Sequence, residues 1–405
     1  MSFDFIEQYL DYTSATPSPE IYRLWCGIST LAGVMERRLF TMGSGGEIFP
    51  NLYVMLVGGP ASGKSIAIER ARELLRETKW SYLSPIGVTK ARLLDILATS
   101  SRKILKKPNG SVKDMTDATP LIEYHSLFVG VPEFGTLIPK YDLEFLNVLN
   151  HIFDNPRDHR DETRHSKSVD IIHPQLNLLV GTQPGYLSSI LPEEAWSTGF
   201  MTRILMVYSA KVVRPKDIFA PPPEVSPIRK VLGEYLGEVI KLSGPFGWST
   251  DAAAAFRKWM EEGCTPEPEH VRLLYYCGRR FLTVIKLSMI SSVSRGTSLV
   301  VTKLDLDRAM AWLAEAEYFM PDVFRDMTHK SDEHIMQELF QYSWRKFVKD
   351  KAPIHEAALL NFLRSRVPSE RVDRILGIAE RSGMFYREVG TKLYRPRPPS
   401  EHGTN

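Results

Sequence analysis

The residues whose spacing most clearly indicates chemistry form a glycine-rich run between a strand-like apolar segment and a helical one. The run reads GGPASGKS from Gly58 to Ser65, which matches the pattern GxxxxGK[ST]. In this pattern, successive backbone N–H groups and the N-terminus of the following helix face phosphates. The lysine reaches the β- and γ-phosphates, and the last hydroxyl ligates Mg²⁺. The sequence therefore predicts a site for ATP and Mg²⁺, with binding residues Gly58, Gly59, Pro60, Ala61, Ser62, Gly63, Lys64, Ser65 and Ile66.

Hydrolysis of a nucleoside triphosphate also requires an acid at the end of a neighbouring strand, to organise the metal and to polarise the attacking water. Glu133 is the candidate, because it follows the apolar run Leu127–Val131. We predict that Glu133 is the general base and that it organises Mg²⁺ together with Ser65. Pro132 stands where such enzymes usually have an aspartate, so Mg²⁺ must depend more on Ser65, the phosphates and water. The alternative for Glu133 is a solvated carboxylate at a strand end.

Polar residues next to two later apolar runs complete the predicted catalytic set. Thr182 and Gln183 follow the run LNLLVG and are expected to orient the attacking water. Arg203 directly precedes the run ILMVYS, where its guanidinium could neutralise transition-state charge at a neighbouring subunit's nucleotide. Such a role implies a ring, and the alternatives are a capping threonine and an arginine in a local salt bridge. Arg279 and Arg280 open a helical run and could include a second nucleotide sensor, but surface or packing arginines are the favoured interpretation.

Basic residues that could grip nucleic acid are concentrated in two segments. The first lies between residues 155 and 174, where basic and acidic side chains are mixed and a hairpin could project into the channel of a ring. A solvated polar loop is the alternative there. The second segment, residues 381–397, holds five basic side chains against Glu388 alone. The candidate DNA contacts are Arg157, Arg160, Arg164, Lys167, Arg387 and Lys392.

Length, composition and charge limit the class of protein. The chain has 405 residues, which predicts two or three domains. Its 43% of hydrophobic and 24% of charged residues exclude collagen-like, low-complexity and wholly disordered chains. A net charge of +3 neither requires nor excludes a nucleic-acid partner. The three cysteines fit no disulfide or zinc pattern, the N-terminus is acidic, and no run of about 18 apolar residues occurs. We therefore expect a cytoplasmic protein with no membrane partner.

The elements that must position these residues follow from alternating patterns. From residue 51 to 210, short apolar runs alternate with helical periods, which predicts an α/β core with a mostly parallel sheet covered on both faces. From about residue 331, three helical periods precede a β-ribbon, which is the layout of a winged helix. The predicted organisation is a helical N-terminal segment at 1–48, an ATPase core at 49–212, a proline-rich linker at 213–227, a helical lid domain without strands at 228–330, a winged-helix domain at 331–397 and a disordered tail at 398–405.

Five segments of the chain resemble a known family. They are YTSATPSPEIYRLWCGISTLAGV, NLYVMLVGGPASGKS, LFVGVPEFGTLI, NLLVGTQP and GFMTRILMVYS, within residues 10–330. Together they resemble the AAA+ ATPases of phage and prophage replication modules, which are similar to superfamily 3 replicative helicases and more distantly to minichromosome maintenance helicases. The resemblance implies an AAA+ P-loop core and a hexameric ring that uses ATP to move along DNA in the cytoplasm of a bacterial host. It also implies replisome partners such as a primase.

These features are consistent with three functions. The first is a phage-type replicative DNA helicase that translocates on single-stranded DNA, with Lys64, Ser65, Glu133, Thr182 or Gln183, and Arg203 at its nucleotide site. The second is an ATP-switched helicase loader, DNA clamp or transposition regulator that does not unwind DNA, which Pro132 favours because weak hydrolysis suits a switch. The third is a winged-helix DNA-binding scaffold with weak ATPase activity.

Overall fold

The computed structural model contains two compact units, Met1–Phe324 and Arg325–Asn405. The predicted start of the C-terminal domain at residue 331 lies near this division, and the predicted boundaries inside the first unit stay predictions. The structure describes residues 3–78, 83–105, 121–138, 142–161, 169–191, 199–215, 226–364, 367, 369–388 and 390–397.

Helices make up most of the described residues. In this part of the chain, none of them combines the length and the apolar character that crossing a membrane requires. The helices are α1 (Phe5–Tyr12), α2 (Glu20–Met35), α3 (Lys64–Glu77), α4 (Lys90–Thr99), α5 (Phe134–Leu137), α6 (Leu143–Phe153), α7 (Pro184–Ile190), α8 (Pro227–Lys241), α9 (Thr250–Glu261), α10 (Leu274–Cys277), α11 (Arg280–Arg295), α12 (Lys303–Asp350), α13 (Glu356–Arg364) and α14 (Ser369–Arg381).

The strands belong to four sheets. The largest has five strands in the order β4, β5, β8, β3, β9, and the smallest is the hairpin β6–β7. The strands are β1 (Leu39–Gly43), β2 (Gly46–Ile48), β3 (Tyr53–Val57), β4 (Ser101–Leu105), β5 (Leu121–Val131), β6 (Asp158–Asp161), β7 (Val169–Ile172), β8 (Pro174–Thr182), β9 (Ile204–Tyr208), β10 (Gly244–Trp248), β11 (Val300–Val301), β12 (Ile354–His355), β13 (Phe385–Arg387) and β14 (Leu393–Pro396).

The five-stranded sheet forms the centre of the first unit. Strands β5, β8, β3 and β9 are parallel, and β4 is antiparallel to β5 at one edge. Every residue of β3, β8 and β9 is buried, which explains why β3 and β9 are almost wholly apolar and why β8 does not alternate between apolar and polar residues. The prediction of an α/β core with a mostly parallel sheet is therefore confirmed.

Helix α2 lies against this sheet and is almost wholly buried. All its residues except Glu20 and Arg23 are inaccessible to solvent, and it packs against α1, α3, α8, α11 and β8. A helix that is apolar on all sides belongs in a core. It brings the N-terminal segment into the interior of the first unit.

A second sheet corrects two sequence-based expectations. Its strand order is β11, β10, β1, β2, so the predicted helical N-terminal segment contains two strands, and the region 228–330, predicted to lack strands, contains two more. Strand β1 pairs in parallel with β10, where Leu39 lies opposite Gly244. The sequence of β10 is GPFGW, whose glycines and proline are poor strand formers. This strand depends on pairing with residues some 200 positions away in the sequence, which local patterns do not reveal.

The second unit folds around its own apolar core. The end of α12 is followed by β12, α13, α14, β13 and β14, and the three strands form a sheet in the order β12, β14, β13. The three helical periods and the terminal ribbon predicted from the sequence are present. Strand β12 was not predicted, and the first helix extends back to Lys303. The fully buried members of its core include Leu339, Leu359, Leu363, Ile375 and Ala379.

Candidate functional site

The glycine-rich run forms a loop that connects β3 to α3. The loop backbone has left-handed conformations at Ala61 (φ 55°) and Gly63 (φ 83°), and α3 begins at Lys64. A Cβ at position 63 would lie closer to the carbonyl oxygen of Pro17 than van der Waals contact allows. Glycine is therefore required at this position for its backbone angle and for the space.

Lys64 lies inside the curve of the loop. Its side chain is 5% exposed, and its Nζ donates to the carbonyl oxygens of Gly58 at 2.9 Å and Gly59 at 2.8 Å, and to Ser62 Oγ at 3.0 Å. A buried ammonium is tolerated only with such partners. The loop thus concentrates a positive charge beside the N-terminus of α3, where Ser65 is exposed to solvent. This arrangement suits an anion with several oxygens.

Helix α2, in the N-terminal segment, contacts the backbone next to the loop. The Tyr22 hydroxyl donates to the Val57 carbonyl at 2.6 Å and accepts from the Ser209 N–H at 3.1 Å, and burial raises the pKa of Tyr22. It thereby ties α2 to the ends of β3 and β9. Sequence reasoning missed this residue, because nothing near Tyr22 in the sequence indicates that it meets the loop.

Strand register brings Thr182 and Glu133 to the same edge of the sheet as the loop. Thr182 lies opposite Val57, the residue before Gly58, and the Gly58 N–H donates to the Thr182 carbonyl at 3.2 Å. Val180 of β8 lies opposite Val131 of β5. Thr182 and Glu133 each follow this pair by two residues, so they lie at the same end of the two strands. Ligands of parallel sheets bind at this carboxyl edge.

The environments of Glu133 and Thr182 differ. Glu133 is half-buried, and burial raises the pKa of its carboxyl group although the nearby Lys64 charge opposes this shift. The Thr182 hydroxyl is fully buried, and among the described residues it has no hydrogen-bond partner. Gln183 directly precedes α7, where its side chain makes no capping hydrogen bond. A carboxylate with raised proton affinity and an unsatisfied hydroxyl are groups that could act on a water molecule.

Arg203 lies at the opposite end of the parallel strands, where they begin. It precedes Ile204, which pairs with Tyr53 at the start of β3, whereas the loop follows Val57 at its end. The four residue steps between them span about 13 Å at 3.3 Å each. Arg203 binds Asp154 and donates from Nη1 to the Gly199 carbonyl at 2.7 Å. The structure therefore does not bring Arg203 to its own chain's loop.

The two arginines at the start of α11 have different surroundings. Arg280 is buried and makes two 2.6 Å hydrogen bonds to the Glu317 carboxylate, which also accepts from the Tyr276 hydroxyl at 2.8 Å. Its interpretation as a packing arginine is confirmed. Arg279 instead donates to Asp154 at 2.7 Å, beside Arg203. Sequence reasoning missed Asp154, which no motif distinguishes from the other acids of its segment.

The candidate DNA contacts lie partly in described regions. The hairpin expected between residues 155 and 174 is present as β6–β7, with Arg157 and Arg160 exposed. Arg160 Nε lies 3.4 Å from Asp170 Oδ2. Arg164 and Lys167 lie outside the described residues.

The basic C-terminal ribbon is described as far as residue 397. Arg387 and Lys392 are exposed, and Arg387 lies 3.9 Å from Glu356. Arg395 and Glu388 form a 2.7 Å ion pair. Part of the positive charge of the ribbon is therefore balanced within the unit.

Metal ligands are sparse in the part of the chain that the structure describes. No three histidine, cysteine, aspartate or glutamate side chains gather there as a metal site. The predicted Mg²⁺ ligand Ser65 lies on the first turn of α3, and Glu133 follows β5 at the same sheet edge. This donor set suits Mg²⁺, which keeps several waters and binds through few protein oxygens beside phosphates.

No protein-family model matches the chain, and no curated protein matches it. The function is therefore inferred from the residues around the loop and from the strands that hold them.

Proposed function

We propose that this chain is an ATP-driven, ring-forming DNA motor of the phage replicative-helicase type, with an AAA+ P-loop core and a C-terminal winged helix. One observation carries the proposal. Lys64, Thr182 and Glu133 meet at the carboxyl edge of the parallel sheet, on three adjacent strands, while Arg203 lies at the other edge. We propose that the first three residues serve one chain's nucleotide and that Arg203 serves the nucleotide of a neighbouring chain.

Nucleotide binding would use the loop and the start of α3. Lys64 exchanges its loop carbonyl partners for phosphate oxygens, which are stronger acceptors because they are charged. The loop N–H groups and the N-terminus of α3 contribute further donors. Ser65 ligates Mg²⁺, which supplies charge neutralisation on the phosphates. The residues of the motif from Gly58 to Ile66 thus share one task.

Hydrolysis would depend on Glu133 and Thr182. Partial burial raises the proton affinity of Glu133, which favours transfer of a proton from water to its carboxylate. The charge of Lys64 opposes this shift and helps to keep the carboxylate ionised before the reaction. Thr182, whose buried hydroxyl has no hydrogen-bond partner among the described residues, is the proposed donor to the attacking water, which would enter beside it when the nucleotide binds. Gln183, the next residue, is a second candidate for this role.

DNA contacts are proposed for the β6–β7 hairpin and the C-terminal unit. The order α12, β12, α13, α14 and ribbon β13–β14 supports a winged helix, in which α14 follows α13 as the second helix of a helix-turn-helix. Exposed basic residues of the hairpin and ribbon supply phosphate contacts, which carry affinity but not sequence specificity. The proposed partners are single-stranded or forked DNA and further copies of the chain, in the cytoplasm.

The test is strand separation on forked DNA with ATP, alongside ATP turnover with and without single-stranded DNA. Lys64→Ala is compared with Lys241→Ala, an exposed lysine of α8 that pairs with Glu238. We expect DNA-stimulated turnover and unwinding in the wild type and in Lys241→Ala, and neither in Lys64→Ala. Turnover without strand separation by the assembled protein would contradict the motor.

A second candidate is an ATP-switched DNA clamp or helicase loader. It is favoured by Pro132, which replaces an acid before Glu133 and whose carbonyl packs against Gly181. Slow turnover, together with DNA binding that needs bound ATP but is unchanged in Glu133→Gln, would support this candidate over the motor.

A further inference from the structure

One carboxylate binds two arginines at the end of the central sheet where its parallel strands begin. Asp154, which follows α6, accepts from Arg203 Nε at 3.3 Å and also binds Arg203 Nη2. Its Oδ1 accepts from Arg279 Nη2 at 2.7 Å. Burial alone would raise the pKa of Asp154, but hydrogen bonds and charge from Arg203, and then from Arg279, hold it below its usual value. Arg203 comes from the start of β9 and Arg279 from the residue before α11, so Asp154 joins two distant parts of the chain.

This group of three carries an excess of positive charge. Two guanidiniums face one carboxylate, and each guanidinium has five N–H donors in a fixed planar fork. The Asp154 side chain is 44% exposed, the Arg279 side chain 30% and the Arg203 side chain 12%. The buried ammonium of Lys286 interacts electrostatically with all three. The group therefore has a net positive charge, and the exposed part of Arg279 offers N–H donors suited to the oxygens of an anion.

The arginine pair does not lie beside the loop of its own chain. Asp154 binds both arginines at the start of the parallel strands, at the opposite end of β3 from the loop. A nucleotide in the loop of another copy of the chain is therefore the favoured anion.

Three exposed apolar side chains lie shortly before Arg279 in the chain. Val271 is 82% exposed, Leu274 66% and Tyr275 57%, and all three lie within eight residues of Arg279. Large apolar side chains exposed beside one another are typical of surfaces that another molecule covers. The Arg279 N–H donates to the Tyr276 carbonyl at 2.9 Å, which keeps the apolar residues and the arginine in one compact turn.

We propose that Arg203 and Arg279 act as one pair, positioned by Asp154, that enters the loop Gly58–Ser65 of a second copy of the chain and binds the phosphates of its nucleotide. Val271, Leu274 and Tyr275 pack against that second copy. The charges are complementary, because the loop holds phosphates and the pair carries the excess positive charge. This inference rests on the proposed function and adds Arg279 and Asp154 to the shared site.

The test mixes variants that are inactive alone. Arg203→Ala, Arg279→Ala and Lys64→Ala are assembled singly and in equal pairs, and ATP turnover is measured. We expect each arginine variant alone to lose about 10³-fold in turnover, the lower end for an arginine supplied in trans. Mixed with Lys64→Ala, each arginine variant regains part of the wild-type turnover, because intact loops then meet intact pairs.

The decisive mixture is Arg203→Ala with Arg279→Ala. If one copy supplies both arginines, every site in this mixture lacks one of them, and turnover stays at the level of the single variants. If Arg279 served its own chain's loop, this mixture would contain complete sites and regain turnover, which would overturn the inference while leaving the proposed function intact. A wild type without Lys64-dependent turnover would overturn both.

Controls separate chemistry from folding. Each single arginine variant leaves Asp154 with one guanidinium partner, so no buried charge is orphaned. The ATP affinity of the unassembled chain should match the wild type, because the arginines act on the loop of another copy. Arg257→Ala, at an exposed arginine of α9, is the matched control and should keep full turnover. Loss of turnover in Arg257→Ala equal to that in Arg279→Ala would contradict a specific role for Arg279.

Asp154→Asn tests the positioning role, because it keeps the shape of the side chain and removes the charge. We expect kcat to fall by about 10²-fold, as for a misplaced catalytic group, with KM for ATP unchanged. The variant should regain turnover with Lys64→Ala but not with either arginine variant. Recovery of turnover when Asp154→Asn is mixed with Arg279→Ala would show that Asp154 and Arg279 act from different copies of the chain. That result would overturn the proposal that Asp154 positions Arg279.

Discussion

At the scale of single residues, burial changes the proton affinity of Glu133 and Lys286. Glu133 has a raised pKa because it is half-buried at the end of β5. Lys286 is fully buried between Asn51 and the Phe153 ring, donating to the Asn51 carbonyl and Oδ1 at 2.9 Å each. Glu133 lies at the carboxyl edge, beside the loop, and Lys286 lies at the amino edge, beside Asp154.

Glu133→Gln should keep ATP binding and lose at least about 10²-fold in turnover, because the amide cannot accept a proton from water. Since the pKa of Glu133 is raised, wild-type turnover should fall on acidification at a higher pH than for an ordinary glutamate. Steady-state kinetics across pH, with the exposed Glu144→Gln as control, measures both effects. Unchanged turnover in Glu133→Gln would show that Glu133 is not the general base.

Lys286 should make stability depend on pH. Burial lowers the pKa of Lys286 to about 7, whereas an unfolded lysine titrates near 10.4. Between these pH values the unfolded chain binds more protons than the folded one, so the free energy of unfolding should rise with pH. The difference between the wild type and Lys286→Met should grow by at most about 1.4 kcal/mol per pH unit. Denaturant unfolding from pH 7 to pH 10 checks this, with the exposed Lys230→Met as control. A pH-independent difference would contradict it.

At the scale of elements, the close approach of β8 to the end of β5 positions Thr182 and Glu133. A Cβ at Gly181 would overlap the Pro132 carbonyl, so Gly181→Ala should destabilise the protein by about 1–3 kcal/mol and reduce turnover. Gly237→Ala, on α8 with open space around it, should stabilise it by about 1 kcal/mol. Urea unfolding compares the two variants, and equal effects would argue against a tight contact between the strands.

The sequence predicts those elements whose apolar pattern is local. Strands β3 and β9 and the ends of β5 and β8 are mostly apolar runs beside helical periods, and the loop between β3 and α3 has its own spacing. Lys64, Thr182 and Glu133 could therefore be found. Strand β10 could not, because it pairs with β1 and β11, which lie far away in the sequence. The hairpin of β1 and β2 is local and was missed, because in the sequence the turn Gly43–Gly46 indicates the end of a helical segment. Tyr22 and Asp154 were missed for the same reason as β10, since each acts through partners that lie far away in the sequence.

At the scale of the whole molecule, the account depends on contact between copies of the chain. Leu274→Asp puts a charge into the apolar surface beside Arg279 and should leave folding within about 0.5 kcal/mol of the wild type, as exposed substitutions do. Assembly with ATP should be weakened, because the charge would be buried against the second copy. Sedimentation velocity measures this, with Val231→Asp on α8 as the exposed apolar control. Equal assembly of both variants would place the contact elsewhere.

The proposed function requires that the loop from Gly58 to Ser65 binds ATP through Lys64. Calorimetric titration of the wild type, Lys64→Ala and Lys241→Ala with ATP and Mg²⁺ measures this binding. We expect one site per chain in the wild type and in Lys241→Ala. In Lys64→Ala the affinity should fall by about 10- to 10²-fold, the value of a charge-assisted contact of 1.5–3 kcal/mol. Equal affinity in Lys64→Ala, or no binding by the wild type, would contradict it.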